Sequence, residues 1–294
     1  MRTAGNIMEN EINIRKILER VQENTKAEFI RIRTDISSTR LPLTASKIGG
    51  FPYWKDIGTY PVAENGLPLT LLAQINMSDL PENDVFPDNG LLQFFILNAS
   101  DTKNCRVIFH KNIDMRWNPV DYIIPTSFMP EAVEVVSDKG ELAVIDNVFW
   151  GKDGFPVSGE LKLEFYKEYE SVNPSENCFV PEYVKAMRQL GISLPDDYNI
   201  YDFPDEIYEQ LFLTSGCHKL LGHPFFIQGD YREDEDEILL FQIDPFGSHD
   251  IDSGVTDENN FIAFGDSGNA GFFIKKRDLK KLDFSKVVYT WSCL

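Results

Sequence analysis

The sequence has few cysteines, and their spacing excludes two common kinds of site. Four of the 294 residues are cysteine, they lie far apart, and no two form a Cys-x-x-Cys pair. This pattern argues against a disulfide framework and against a structural zinc site. We therefore expect free thiols in a reducing compartment at all four positions, which are Cys105, Cys178, Cys217 and Cys293.

Basic residues are also scarce. The chain has 28 Lys and Arg against 47 Asp and Glu, which gives a net charge of −19. Nucleic-acid binding needs a basic surface that releases counterions, and anionic membranes repel an acidic protein. No apolar run approaches the roughly 18 residues that a membrane-spanning helix needs, and the charged N-terminus lacks the apolar core of a signal peptide. We expect a cytoplasmic protein with neither a nucleic-acid nor a membrane partner.

The sequence does contain an internal repeat. The similar blocks are residues 50–54 with 222–226, 71–76 with 239–244, 94–96 with 272–274, and 107–109 with 287–289. Two copies are too few for a solenoid, which needs at least three stacked units. The repeat predicts a β-rich α+β fold in which two similar halves, produced by an internal duplication, form one compact body.

Periodicity divides the chain further. The predicted units are an N-terminal helix and strand over 1–46, a first repeat over 47–115, connecting strands and helices over 116–217, and a second repeat over 218–294. Apolar spacing predicts helices over 9–24, 181–190 and 204–213, and strands over 27–33 and 160–167. In the strand 71–76, strict alternation puts Leu71, Ala73 and Ile75 on one apolar face, and 239–244 follows the same pattern.

Four blocks, residues 46–53, 69–76, 90–96 and 265–274, resemble the YwqG-like family, also called the domain of unknown function 1963. The resemblance runs from about residue 30 to the end. It implies one duplicated, β-rich domain in bacterial cytoplasmic proteins, and it implies no established activity, so no catalytic residues can be transferred. Family members tend to be encoded near toxin–immunity genes, which implies a binding or immunity role.

One tetrapeptide suggests hydrolysis. Gly265-Asp266-Ser267-Gly268 is the sequence that carries the nucleophile of chymotrypsin-like proteases, but the histidines here do not follow that fold's pattern. The structural interpretation is a tight turn between strands. The alternative is a hydrolase-type enzyme in which Asp266, Ser267 and His223 form the catalytic group.

Polar residues recur at matching places within the apolar strands. Gln74 and Asn76 in the first repeat correspond to Gln242 and Asp244 in the second. A buried amide without partners costs about 1–3 kcal/mol, so each glutamine needs hydrogen-bond partners. The structural interpretation is bonding to backbone groups at the seam of the halves, and the functional one is a ligand-binding groove formed by all four residues.

Metal and cofactor motifs are weak. Cys217, His218 and His223 lack a fourth ligand at regular spacing, and the acidic run beginning at Asp250 does not match an EF-hand loop. We expect no metal and no cofactor. The sequence favours a non-enzymatic binding or protein-interaction module over the hydrolase alternative. The partner of such a module would be an unknown protein or small-molecule ligand.

Overall fold

A ten-stranded antiparallel sheet forms the body of the chain. The computed structural model describes residues 4–36, 41–55, 59–114, 133–136, 142–145, 154–157, 159–193, 199, 215–232, 234, 236–244 and 262–294. The strands are β1 (Ala27–Ile36), β2 (Lys47–Gly49), β3 (Thr70–Asn76), β4 (Leu91–Ile96), β5 (Cys105–His110), β6 (Val133–Val136), β7 (Leu142–Ile145), β8 (Glu160–Glu170), β9 (Lys219–Leu221), β10 (Glu237–Ile243), β11 (Asn269–Lys275) and β12 (Val288–Ser292). The described helices are α1 (Ala4–Thr25), a 3-10 turn (Met77–Asp79), α2 (Phe179–Leu190) and α3 (Lys276–Leu279).

The strand order of the large sheet is β5-β4-β3-β2-β8-β1-β9-β10-β11-β12, and β6 and β7 form a separate ribbon. β1 and β8 occupy the centre and pair along their whole lengths, from Ala27 opposite Glu170 to Ile36 opposite Leu161. The strands β2 to β5 lie on one side of this central pair, and β9 to β12 lie on the other.

The alternation of apolar and polar residues explains why residues 160–170 form the strand β8. Leu161 and Leu163 are buried on its inner face, while Lys162 and Glu164 are exposed on the other face. A strand with this period of two fits a sheet that has one apolar and one polar face. The predicted strand over 160–167 is therefore confirmed, with three further residues at its end.

The sheet curls around an aromatic core until it is nearly closed. Phe94 of β4 lies 4.7 Å from Phe241 of β10 and 5.0 Å from Phe272 of β11, measured between ring centroids. Near the two sheet edges, the Tyr289 hydroxyl donates to the Ala99 carbonyl at 2.8 Å. Burial of these rings is the main stabilising contribution that closes the sheet.

Strict alternation is wrong in β3 and β10, because each strand contains a register irregularity against its neighbour. The shift lies between Leu71 and Ala73 in β3, and between Leu239 and Phe241 in β10. Leu71 consequently packs in a cluster separate from the main core, which contains Ala73 and Ile75. An extra residue in a bulge reverses the facing of every side chain beyond it.

The helices α1 and α2 build a second, smaller core. Ile17 and Val21 of α1 pack with Phe179 and Tyr183 of α2. Pro181 lies in the first turn of α2, where its missing amide hydrogen costs little. The helices predicted over 9–24 and 181–190 are confirmed.

The expectation of a β-rich fold with few helices is confirmed for the described chain. The predicted helix over 204–213 and the acidic run that begins at Asp250 lie outside the described residues. No described helix combines the length and apolar character that crossing a membrane would require. All four cysteines are free thiols in the structure.

Candidate functional site

Two lysines are completely buried on the outer face of the sheet. Lys47 of β2 places its Nζ 2.9 Å from Glu160 Oε1, and Lys219 of β9 places its Nζ 2.8 Å from Glu170 Oε2. Lys219 also donates to the Ser215 carbonyl at 3.0 Å. A buried ammonium is tolerated only when it is paired and hydrogen-bonded. These contacts tie β2 to its neighbour β8 and reach across β1 to tie β9 to β8.

Both carboxylates come from β8, because Glu160 is its first residue and Glu170 its last. The second oxygen of each glutamate is also bonded. Glu160 Oε2 accepts from the Leu41 amide at 2.8 Å, and Glu170 Oε1 accepts from the His223 amide at 2.7 Å. One strand thus supplies the counter-charge for a lysine at each of its ends.

Gly50 and Gly222 leave the space that these glutamates occupy. A Cβ atom at Gly50 would lie 2.2 Å from Glu160 Oε1, and one at Gly222 would lie 2.1 Å from Glu170 Oε1. Both glycines also have positive φ angles, +71° and +74°. Any other residue would strain the backbone and displace the carboxylate from its lysine.

Gln74 is completely buried, and most of its hydrogen bonds are to backbone groups. Its Nε2 donates to the Leu43 and Ala45 carbonyls at 2.7 and 2.8 Å, and its Oε1 accepts from the Tyr53 amide at 3.0 Å. Gln93 Nε2 donates to the same Oε1 at 2.7 Å. These bonds hold the segments on either side of β2.

Gln242 makes the corresponding contacts in the other group of strands. Its Nε2 donates to the Cys217 carbonyl at 3.0 Å and to the Ser215 carbonyl at 3.4 Å, and its Oε1 accepts from the Phe225 amide at 2.8 Å. The bonds of both glutamines stay within their own group of strands. These hydrogen bonds therefore do not lie at a seam between the two groups of strands, which is where they were expected.

Asn76 and Asp244 are buried too. Asn76 donates to the Thr44 carbonyl at 3.0 Å and accepts from the Ser78 amide at 3.2 Å, which caps the 3-10 turn. Asp244 Oδ2 accepts from Asn269 Nδ2 at 2.9 Å. Both side chains have hydrogen-bond partners within the protein.

His223 bridges three segments through both ring nitrogens. Its Nδ1 lies 3.0 Å from Glu176 Oε1, and its Nε2 lies 2.9 Å from the Thr25 carbonyl at the end of α1. Burial lowers the pKa of this imidazole, but the bonds to Glu176 and Thr25 outweigh it, and the pKa is raised. Two acceptors favour the doubly protonated ring, which has no lone pair to serve as a general base.

Asp266 and Ser267 lie in the tight turn that joins Phe264 to Gly268. Ser267 has a φ of 58° in the left-handed region, and the Asp266 carbonyl accepts from the Leu294 amide at 3.1 Å. Asp266 is exposed. His223, the third residue of the hydrolase hypothesis, is bonded to Glu176 and Thr25, whereas this turn adjoins the C-terminus.

His218 directly precedes β9 and is completely buried. Its Nδ1 accepts from the Asp244 amide at 3.0 Å, while no hydrogen-bond partner for its Nε2 occurs in the described chain. Burial lowers the pKa of the ring to about 4. Burial likewise raises the pKa of the neighbouring Cys217 thiol to about 11, so both groups are neutral at pH 7.

A cleft of about 570 Å³ lies on the outer face of the sheet and is lined by several charged side chains. The helix α1 forms one wall with Glu19, Gln22 and Glu23, and Lys26 follows directly after the helix. The floor contains Phe29 and Arg31 of β1. We call this feature the α1 cleft. Its size lies within the usual range for small-molecule sites.

The opposite wall of the α1 cleft includes Glu168 and Glu170 of β8 together with Ser215. Arg31 donates from Nε to Glu168 Oε2 at 2.7 Å, and Glu170 is bound to Lys219 beneath the floor. Arg31, Glu168 and Glu170 are thereby held in place. No group of three or more His, Cys, Asp or Glu side chains suited to a metal ion occurs in the part of the chain that the structure describes.

Sequence reasoning missed the lysine–glutamate pairs and Arg31. A signal for the lysines was present, since Lys47 and Lys219 stand at the same place before the repeated Gly50 and Gly222. For Arg31 no such signal exists, because it lies outside the repeated blocks.

Comparison with protein families finds one family model, whose matched range includes the buried lysines, glycines and glutamines. The model describes a domain of unknown function, DUF1963, and it covers residues 46–293. The chain belongs to this family. No curated protein matches the chain. In this DUF1963 protein the β8 wall of the α1 cleft lies within the matched region, whereas α1 and β1 precede it.

Proposed function

We propose that this protein is a non-enzymatic binding module, and that the α1 cleft takes a small-molecule ligand or a segment of a protein partner. The observation that carries the proposal is a cleft of about 570 Å³ in which Arg31 is held by an ion pair with Glu168 and Glu170 by one with Lys219. A site that is ordered before binding loses less conformational entropy when the ligand arrives.

An internal duplication is part of the proposal. Several matched features support it: the lysines Lys47 and Lys219, their neighbours Gly50 and Gly222, the two buried glutamines, and the bulge in each of β3 and β10. The halves differ in their surroundings, since β8 supplies both glutamates and α1 stands beside the second half. This difference explains how a duplicated scaffold carries a cleft at one of two similar places.

A cytoplasmic, immunity-like role is the finer form of the same proposal. It is supported by the resemblance to proteins encoded near toxin–immunity genes. The net charge of −19 supports it too, because a strongly acidic surface speeds association with a basic partner and becomes less effective at high salt.

The test is a thermal-shift screen of the full chain with a broad compound library and with basic proteins. A ligand at about 100 times its Kd stabilises the folded state by about 2.7 kcal/mol, which gives a measurable rise in Tm. We expect ligands whose effect disappears in Gln22→Trp, because Gln22 is exposed on α1 and lines the α1 cleft. A tryptophan there fills the cleft without entering the core.

Lys16→Trp is the matched control, since Lys16 is exposed on the same helix and does not line the cleft. This variant should keep every ligand response. The proposal is wrong if no compound or protein stabilises the wild type, or if all stabilising ligands act equally on Gln22→Trp.

A further inference from the structure

Arg31 presents unused hydrogen-bond donors at the floor of the α1 cleft. Its Nε is bonded to Glu168, and its guanidinium carbon lies 5.4 Å from the centroid of the Phe29 ring. No acceptor for its Nη1 or Nη2 groups occurs among the described residues. The side chain is 21% exposed, so these donors are accessible from the cleft. A fixed, planar guanidinium with free Nη groups matches the two oxygens of a carboxylate.

The opposite charge stands on the wall of the same cleft. Glu19 of α1 lines the cleft, is exposed, and has no ion-pair partner in the described part of the chain. The other carboxylates there are paired, because Glu168 pairs with Arg31, Glu170 with Lys219, and Glu23 with Arg20 at 3.0 Å. Lys26 lies 4.4 Å from the ring centroid of Tyr169. The cleft therefore offers one guanidinium fork and, in Glu19, one carboxylate without an ion-pair partner among the described residues.

From this geometry we infer that the α1 cleft recognises a zwitterion of the amino-acid or short-peptide class. The ligand's carboxylate accepts two hydrogen bonds from Arg31, and its ammonium group lies near Glu19. This inference rests on the proposed binding function and names the ligand chemistry of the same cleft. The same chemistry is present in a free dipeptide and in a protein segment that carries one acidic and one basic side chain.

The charge of the cleft decides between a carboxylate and a phosphate as the ligand. A phosphate dianion would meet the uncompensated carboxylate of Glu19, on a protein of net charge −19. A single carboxylate meets half of that repulsion, and a linked ammonium compensates for it. The cleft thus favours a zwitterion over a free polyanion.

The experiment is a two-dimensional amide NMR titration of the full chain. The probes are alanyl-alanine, its N-acetylated form, its C-terminal amide, inorganic phosphate, and the blocked peptide acetyl-Ala-Lys-Ala-Ala-Glu-Ala-amide. We expect the free dipeptide or the blocked peptide to shift amide signals around Phe29 and Arg31 more strongly than the singly charged probes or phosphate do. Binding of the dipeptide identifies a free zwitterion, and binding of the blocked peptide alone identifies a protein segment.

Variants test the two named groups. Arg31→Lys keeps the charge but removes the fork, and it should weaken zwitterion binding about tenfold or more. Glu19→Gln lies on an exposed helix position and should weaken the zwitterion while leaving the N-acetylated dipeptide unchanged. Arg33→Gln is the matched control, because Arg33 is on the same strand and outside the cleft lining.

The inference is overturned if phosphate binds more tightly than the zwitterions, if none of the probes perturbs the cleft, or if both Arg31→Lys and Glu19→Gln bind as the wild type does. Failure here is separable from failure of the proposed function. Other compounds that stabilise the wild type but not Gln22→Trp would leave the binding function intact, whereas a screen without such compounds would remove it.

Discussion

At positions 50 and 222, backbone geometry and electrostatics both require glycine. Each glycine combines a positive φ with a glutamate carboxylate about 2 Å from the position of an added Cβ. The glutamate is flexible and would swing away, but it would then leave a fully buried lysine without its counter-charge. The energetic effect of a methyl group at these positions is therefore that of a broken ion pair.

We predict that Gly222→Ala lowers the free energy of unfolding by about 3–5 kcal/mol, the usual effect of leaving one buried partner unpaired. Gly191→Ala is the matched control, because Gly191 has a similar φ of +65° and no atom within 4 Å of its added Cβ. It should lose about 1–2 kcal/mol, from backbone strain alone. Urea denaturation of both variants measures the difference, and equal losses would show that the carboxylate contact contributes nothing.

Among the elements, α1 is attached to the sheet through a histidine. His223 connects the end of α1 at Thr25 to Glu176, and Arg232 Nη2 lies 3.3 Å from the same carboxylate. The helix also forms a wall of the α1 cleft, so this attachment is one of the contacts that hold that wall. Its strength depends on the charge of the imidazole.

The sign of this pH dependence follows from the raised pKa of His223, which its bonds to Glu176 and Thr25 produce against the effect of burial. The unfolded histidine titrates near 6.5, so the attachment contributes fully below that pH and weakens as pH rises through the raised value. We predict that amide hydrogen exchange at the end of α1 accelerates as pH rises from 6 to 9, after correction for intrinsic rates.

The variant His223→Gln should remove this change and show fast exchange throughout. Glu182→Gln is the matched control, since Glu182 on α2 pairs with Lys185, whose side chain is half exposed, and such pairs contribute little. Wild-type pH dependence in His223→Gln would mean that the imidazole charge does not hold the helix.

The elements themselves were largely predictable, whereas their irregularities were not. Alternation over 160–167 and helical spacing over 9–24 identified β8 and α1, because each shows its burial pattern locally. The bulge between Leu71 and Ala73 is fixed by pairing with β4 and left no signal in the alternation. The candidate site was harder still. Lys47 finds Glu160 at a separation of 113 residues, and Arg31 finds Glu168 at 137.

At the scale of the whole molecule, the described core contains a histidine that acid should charge. His218 is completely buried, and burial lowers its pKa from 6.5 to about 4. As pH falls, the unfolded histidine takes up its proton first, so stability that is present above pH 6.5 is lost between 6.5 and about 4. The difference between these two pKa values corresponds to about 3 kcal/mol.

We therefore predict that His218→Asn loses about 3 kcal/mol less stability than the wild type between pH 7 and pH 4, as measured by urea denaturation. Asparagine can still accept a hydrogen bond from the Asp244 amide, which His218 Nδ1 accepts in the wild type. The comparison cancels the carboxylates, which titrate in both proteins. The same loss in both would show that His218 does not contribute to acid sensitivity.

The central position of β1 and β8 also determines when the sheet can form during synthesis. β1 is made early, yet both of its neighbours, β8 and β9, come from the second half of the sequence. While a ribosome is still translating the first half, the hairpins β3–β4 and β4–β5 can form, but Lys47 has no counter-charge and β1 has no partner strand. A nascent chain of this protein thus keeps an unpaired, amphipathic strand accessible to chaperones until more than half of its residues have emerged.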